Sequence, residues 1–158
     1  MANIDTHGPE QLVQANHILF QYGVVDGFGH VSMRCTDNPE HFWLSKNRAP
    51  ALVKVSDLLK FDLTGEPVET TSETLYLERY IHASLYRARL DVNAVVHSHS
   101  HTIVPFSIST KTKLKPVWHM AGFLESDVPV FDTADKFGDG TDLLISSLEM
   151  ADAMSDCI

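Results

Sequence analysis

A chain of 158 residues that is 44% hydrophobic can bury one core and is short for two, which predicts a single domain over 1–158. With 21 acidic residues against 12 basic ones and a net charge of -9, it has no broad positive field to gather phosphates, which argues against a nucleic-acid partner. The opening stretch from Met1 to Glu10 has neither the basic segment nor the apolar run of a secretory signal, and no later run is long enough to span a bilayer. The expectation is a cytoplasmic protein without a membrane partner. Cys35 and Cys157 are too far apart for a CxxC motif and are expected to be reduced bystanders.

Along the chain, Pro9 to Gly23 reads as a helix, with Leu12, Ala15, Ile18 and Leu19 near helical spacing and Gly23 placed to end it. A Gly-rich turn, Asp26 to His30, leads into Val31–Cys35, which alternates like a strand. The turn-forming residues Thr36 to Pro39 join it to a second strand, His41–Ser45, and the pair predicts a hairpin. Val55 to Leu59 reads as a helical turn before a short strand at Lys60–Leu63 and a turn at Thr64–Pro67. From about Ser72 to Arg89, Leu75, Glu78, His82 and Leu85 recur every three or four positions, predicting a helix with Glu78 and His82 one turn apart.

Asp91–His97 is short and valine-rich, the pattern of a buried strand. Ser100 to Phe106 reads as a helix start limited by Pro105, and Lys115–Met120 and Val128–Phe131 as weaker strands. A last helix is expected over Leu143–Met154, capped by Thr141 or Asp142. Trp118 and Phe123 are expected in the core.

The sharpest chemical feature is His97-Ser98-His99 at the end of a predicted strand. Residues two apart on a strand point the same way, so both imidazoles can reach one ion. Surface or core histidines would give the same pattern, and His101 extends the alternation, which leaves the choice of ligands open. Neutral imidazole suits zinc, iron, manganese or cobalt, and a nearby carboxylate such as Glu78 can complete a shell or serve as a base.

The segment from Glu78-Arg-Tyr-Ile-His82 through Tyr86-Arg-Ala-Arg-Leu-Asp-Val-Asn-Ala-Val-Val-His-Ser-His99 resembles the signature of the class II aldolase/adducin family. Gly29-His-Val-Ser-Met-Arg34 is similar to that family's Gly-Asn-x-Ser-x-Arg loop. The resemblance implies an α/β fold with a central, mostly antiparallel sheet flanked by helices. It implies a divalent metal, zinc first with manganese or cobalt as alternatives, held by His97 and His99. Glu78 would stand beside the metal and shuttle protons. It also implies a homo-oligomer, and a third metal histidine beyond the last helix. This chain stops at Ile158, so the expectation is a domain lacking the family's final strands and terminal helix. His101, His119, Glu78 or a partner subunit would then complete the shell.

Sugar-phosphate aldolases of the family hold phosphate with a Thr-Gly turn, a Ser-Ser pair before the glutamate and the loop asparagine. Here those places read Ser45-Lys-Asn-Arg-Ala-Pro50, Tyr76-Leu77 and His30. The resemblance therefore implies an unphosphorylated carboxylic acid as substrate, bound by His30, Ser45, Lys46, Arg48 and His119. Similarity to a branch containing hydroxypyridine-dicarboxylate decarboxylases implies a carbon–carbon lyase that decarboxylates an aromatic or hydroxy acid through a metal-stabilised enolate. Aldol cleavage of a small hydroxy-carbonyl compound, or an inactive assembly role like that of the adducin head, are the alternatives.

Overall fold

The alternation of two short segments sets the centre of the molecule. In the computed structural model, which describes residues 8–124 and 128–158, His30–Arg34 (β1) and His41–Ser45 (β2) form the expected hairpin, with Ser32 opposite Leu44. Residues 1–7, part of the stretch read against a secretory signal, lie outside the described residues. Leu58–Asp62 (β3) pairs with the far side of β2, and Ala94–His97 (β4) with the far side of β1. The result is a four-stranded antiparallel sheet in the order β3-β2-β1-β4.

Each face of the sheet meets a helix. Val31, Met33, Trp43 and Leu58 pack on Leu12, Val13, Ala15 and Leu19 of Gly8–Gln21 (α1), whose chain turns away through Gly23 at φ +67°. Phe42, Leu44, Phe61 and Val95 pack on Ala83 and Tyr86 of Arg79–Ala88 (α2). After the short helices Val104–Ser107 (α3) and Thr133–Phe137 (α4), the helix Leu148–Ser155 (α5) covers another flank of α2. Ile81, Ile145 and Ala151 are buried between those two. The expected class, a mainly antiparallel sheet flanked by helices, is the one observed.

Several expectations differ from the structure for identifiable reasons. Residues 72–76 are not helical: Tyr76 is drawn into the core, and the Thr74 carbonyl accepts the Asn47 N–H at 2.7 Å. The helix therefore begins at Arg79, with Glu78 at its N-cap. β4 begins at Ala94 and is an outer strand of the sheet, so Ala94 and Val96 are exposed rather than buried. Pro105 sits in the first turn of α3, where its missing N–H costs nothing, rather than at its end.

Neither 115–120 nor 128–131 is a strand. Pro116 and Pro129 each remove a ladder donor, and His119–Ala121 turns as a 3-10 helix instead. Trp118 and Phe123 are 63% and 83% exposed, not core. The last helix starts at Leu148 with Ser147 as its cap, because Leu143 takes φ +67° and interrupts the earlier turn. The Thr141 and Asp142 side chains accept the N–H groups of Leu143 and Leu144 rather than capping a helix.

Candidate metal and acid–base site

Pairing of β1 with β4 sets His30 opposite His97. Their rings stack with centroids 4.5 Å apart and planes 15° apart. The preceding loop reaches β4 because residue 29 has no side chain: a Cβ on Gly29 would lie 2.7 Å from Val25 Cβ and 3.0 Å from the His97 carbonyl oxygen. Glu78 arrives from the facing helix. Its Oε2 lies 3.5 Å from His97 Nε2, and its Oε1 accepts the Ile145 N–H at 3.3 Å. One ligand atom each from His30, Glu78 and His97 lies within 4.8 Å of the others, and His99 joins them through His97, with the two Nε2 atoms 2.8 Å apart.

Asp26 orients His99. Both of its carboxylate oxygens lie 3.3 Å from His99 Nδ1, while Oδ1 accepts the N–H groups of Phe28 and Gly29 at 2.9 Å each. Burial works against the Asp26 carboxylate, but the two backbone donors and His99 together hold its pKa below the ordinary value. A carboxylate receiving Nδ1–H is the usual outer partner of a metal-bound imidazole, and it leaves the Nε2 lone pair aimed at His97.

The donor set fits a divalent cation. Ligand atoms around a tetrahedral zinc with bonds of about 2.0–2.1 Å stand roughly 3.3 Å apart. The separations of 2.8 Å for His97–His99 and 3.5 Å for His97–Glu78 bracket that spacing. Two imidazole lone pairs so close need a proton or a cation between them. Burial lowers the pKa of His97, with His99 adding to the effect and Glu78 opposing it. Neutral imidazole is the ligating form.

Behind this set lies a buried polar chain. His30 Nδ1 is 2.6 Å from His82 Nε2, His82 Nδ1 is 2.6 Å from Ser32 Oγ, and Ser32 Oγ is 2.8 Å from the Tyr86 hydroxyl. Burial pushes His82 down to about 3 and takes His30 well below the usual histidine range, with neighbouring histidines acting in the same direction. Burial also raises Tyr86. In front lies a cleft of about 270 Å³ lined by Phe28, His30, Asn47, Tyr76, Glu78 and His99, with Leu77 and Leu144 at its walls.

Of the residues singled out from sequence, the structure gathers His30, Glu78, His97 and His99. Ser45 is buried behind the cleft and hydrogen-bonds to Tyr76, whose hydroxyl also donates to the Arg48 carbonyl. Lys46 and Arg48 turn to Asp57: Lys46 Nζ lies 3.3 Å from Asp57 and 3.1 Å from Glu73, and Arg48 Nε lies 3.7 Å from Asp57. His119 is exposed on its 3-10 turn with its ring edge-on to Trp118, and His101 is exposed as well. Sequence reasoning passed over Asp26, Ser32 and Tyr86 as site residues. An Asp at the head of a Gly-rich turn was a readable sign for the first, since such residues bond amides two or three positions on. Ser32 was marked only as the serine of the Gly29–Arg34 motif, and nothing local marked Tyr86.

Comparison with known proteins gives the family. The model of the Class II Aldolase and Adducin N-terminal domain matches residues 10–157. The decarboxylase tropJ of Talaromyces stipitatus is 38% identical over 145 residues, an alignment covering 89% of this chain and 54% of that protein. The 3,4-dihydroxyphthalate decarboxylase of Arthrobacter keyseri is 35% identical over 105 residues, covering 60% of this chain and 41% of the relative. The chain thus spans about half the length of these decarboxylases. The crystal structure of L-fuculose-1-phosphate aldolase from Thermus thermophilus superposes with a TM-score of 0.69 at 21% identity, over 94% of this chain and 68% of that one, which shows a shared fold. With the family model spanning nearly the whole chain and the sheet, helices and histidine pair in place, this protein belongs to the class II aldolase/adducin family.

Proposed function

We propose that this chain is a divalent-metal-dependent carbon–carbon lyase that decarboxylates an unphosphorylated aromatic or hydroxy acid. Family membership and two decarboxylase relatives support a lyase role. The observation that carries the reading is the meeting of His97 Nε2, His99 Nε2 and Glu78 beside a small cleft, with Asp26 orienting His99. His97, His99 and Glu78 would hold the ion, zinc first and manganese or cobalt as alternatives. When bound, such an ion draws electron density from a substrate oxygen and so eases build-up of charge on the adjacent carbon.

The chain's own groups do the rest. Phe28, Leu77 and Leu144 give the cleft apolar walls that hold a ring and exclude water. His30 and Asn47 line it with polar groups suited to the substrate's carboxylate or hydroxyl oxygens. The bond between the ring carbon and the carboxylate breaks, carbon dioxide leaves, and the electron pair stays on the ring carbon. Glu78, a carboxylate at the outset, would take a proton from water and pass it to that carbon, and the hydroxide left behind would combine with the departing carbon dioxide as bicarbonate. Lys46 and Arg48 are held by Asp57 and brace the loop after β2 rather than the substrate.

The test is the purified chain, stripped with a chelator, reloaded with zinc, manganese or cobalt, and given 3,4-dihydroxyphthalate. Metal-dependent carbon dioxide release and about one bound ion per chain are expected, and His97→Ala should lose both. Binding of metal without turnover of the acid would sink the decarboxylase assignment. Absence of bound metal would sink the catalytic reading and favour an assembly role of the adducin kind.

A further inference from the structure

The polar chain behind the cleft has a direction. Tyr86 is fully buried, and among the described hydrogen bonds the acceptor within reach of its hydroxyl is Ser32 Oγ, since its other contact, the Val95 backbone, is a donor. A phenol that only accepted would leave its proton buried without a partner, at a cost of about 1–3 kcal/mol. Tyr86 therefore donates to Ser32. Ser32, whose Oγ accepts that hydrogen bond, has its own proton left to donate to His82 Nδ1. His82 then carries its proton on Nε2 and donates it to His30 Nδ1. Each acceptor in the series fixes the next donor, so the polarity set by one tyrosine passes across three side chains to the cleft.

We infer that Tyr86, Ser32 and His82 are positioning residues that lock His30 as the neutral Nε2–H tautomer, presenting a hydrogen-bond donor to an acceptor oxygen of the bound substrate. His30 is thereby excluded as a metal ligand, although one of its nitrogens lies within 4.8 Å of Glu78 and His97. Its Nδ1 is occupied by His82, and its Nε2 carries the proton. The same geometry separates the two kinds of histidine at this site. His99 is fixed from behind by a carboxylate, which leaves Nε2 with a lone pair. His30 is fixed from behind by a donor, which leaves Nε2 with a proton. The identity of the acceptor rests on the decarboxylase reading above; the tautomer does not.

Long-range proton–nitrogen NMR of the full chain labelled with 15N-histidine tests this directly. In the metal-free protein at neutral pH, His30 and His82 are both expected to show a protonated, pyrrole-type Nε2 and a pyridine-type Nδ1. Tyr86→Phe keeps the ring and removes the donor that sets the polarity. It is expected to shift both histidines toward a mixture of tautomers while near-ultraviolet circular dichroism remains native. Adding zinc should move the nitrogens of His97 and His99 and leave His30 Nε2 protonated. A His30 that carries its proton on Nδ1, that is doubly protonated, or whose Nε2 loses its proton to zinc overturns the inference. Failure of zinc to move any histidine would count against the metal reading alone, because the tautomers are read before zinc is added.

Discussion

His82 shows how a single side chain links the polar chain to stability. In the unfolded chain it takes a proton below about pH 6.5. In the fold, burial keeps it neutral down to about pH 3. Between those values the unfolded state binds the extra proton, so stability is fully present above about pH 6.5 and falls as the pH drops toward 3. From pH 7 to pH 5 the loss from this residue is about 2 kcal/mol. His30, shifted in the same direction, deepens the loss. Urea denaturation of the chelator-treated protein at the two pH values should show it, and the non-titrating His82→Gln should flatten the profile. Equal pH dependence in the two proteins would contradict a neutral buried His82. At this scale the sequence showed the histidine pair, because strand periodicity puts His97 and His99 on one side. It did not show His82 as the support of His30, which lies 52 residues away. A contact of that range exists only once β1 and α2 have packed.

At the scale of elements, β1 carries more than its apolar residues. Val31 and Met33 make it a strand against α1, and the alternate positions His30, Ser32 and Arg34 all turn toward α2. Arg34 is 6% exposed and donates to the carbonyls of Val92, Pro39, Tyr86 and Arg89. Its planar fork thus satisfies the end of α2 and the turn into β4 together, and fixes the spacing on which the His30–His97 contact depends. Lysine has three donors on one nitrogen and cannot span four separated carbonyls. Arg34→Lys should cost about 2–4 kcal/mol, with the stranded carbonyls as the cause. A urea midpoint within experimental error of the wild type would show the fork to be dispensable. The hairpin of β1 and β2 was legible because apolar alternation and a turn coincide. The start of α2 was not: Leu75, Glu78, His82 and Leu85 satisfy helical spacing, but Tyr76 packs with Phe42 and Phe61, and the chain becomes helical only at Arg79, after a turn at 77–78.

Over the whole molecule, the hydrophobic clusters stand in different relations to the site. The core under α1, built on Leu12, Val31, Val53 and Leu58, has none of the cleft residues. The cluster between α2 and α5 is different, because the loop before α5 brings Leu144 to the cleft wall and the Ile145 N–H to Glu78. This coupling was hidden in the sequence, since the segment was read as one helix and the bend at Leu143, with its positive φ, has no glycine to announce it. Ala151 is fully buried where α5 meets α2. Ala151→Leu should overpack that contact, cost about 1–3 kcal/mol, and push the Ile145 amide away from Glu78. Leu12→Ala in the other core should cost about 2–5 kcal/mol. If the cores divide the work in this way, the larger loss of stability leaves zinc affinity of the folded protein unchanged, whereas the smaller one weakens it severalfold. Calorimetric zinc titration of both variants, at a temperature where each is folded, decides the matter. Weakening that followed stability rather than position would mean that the site responds to general loosening and not to the placement of α5.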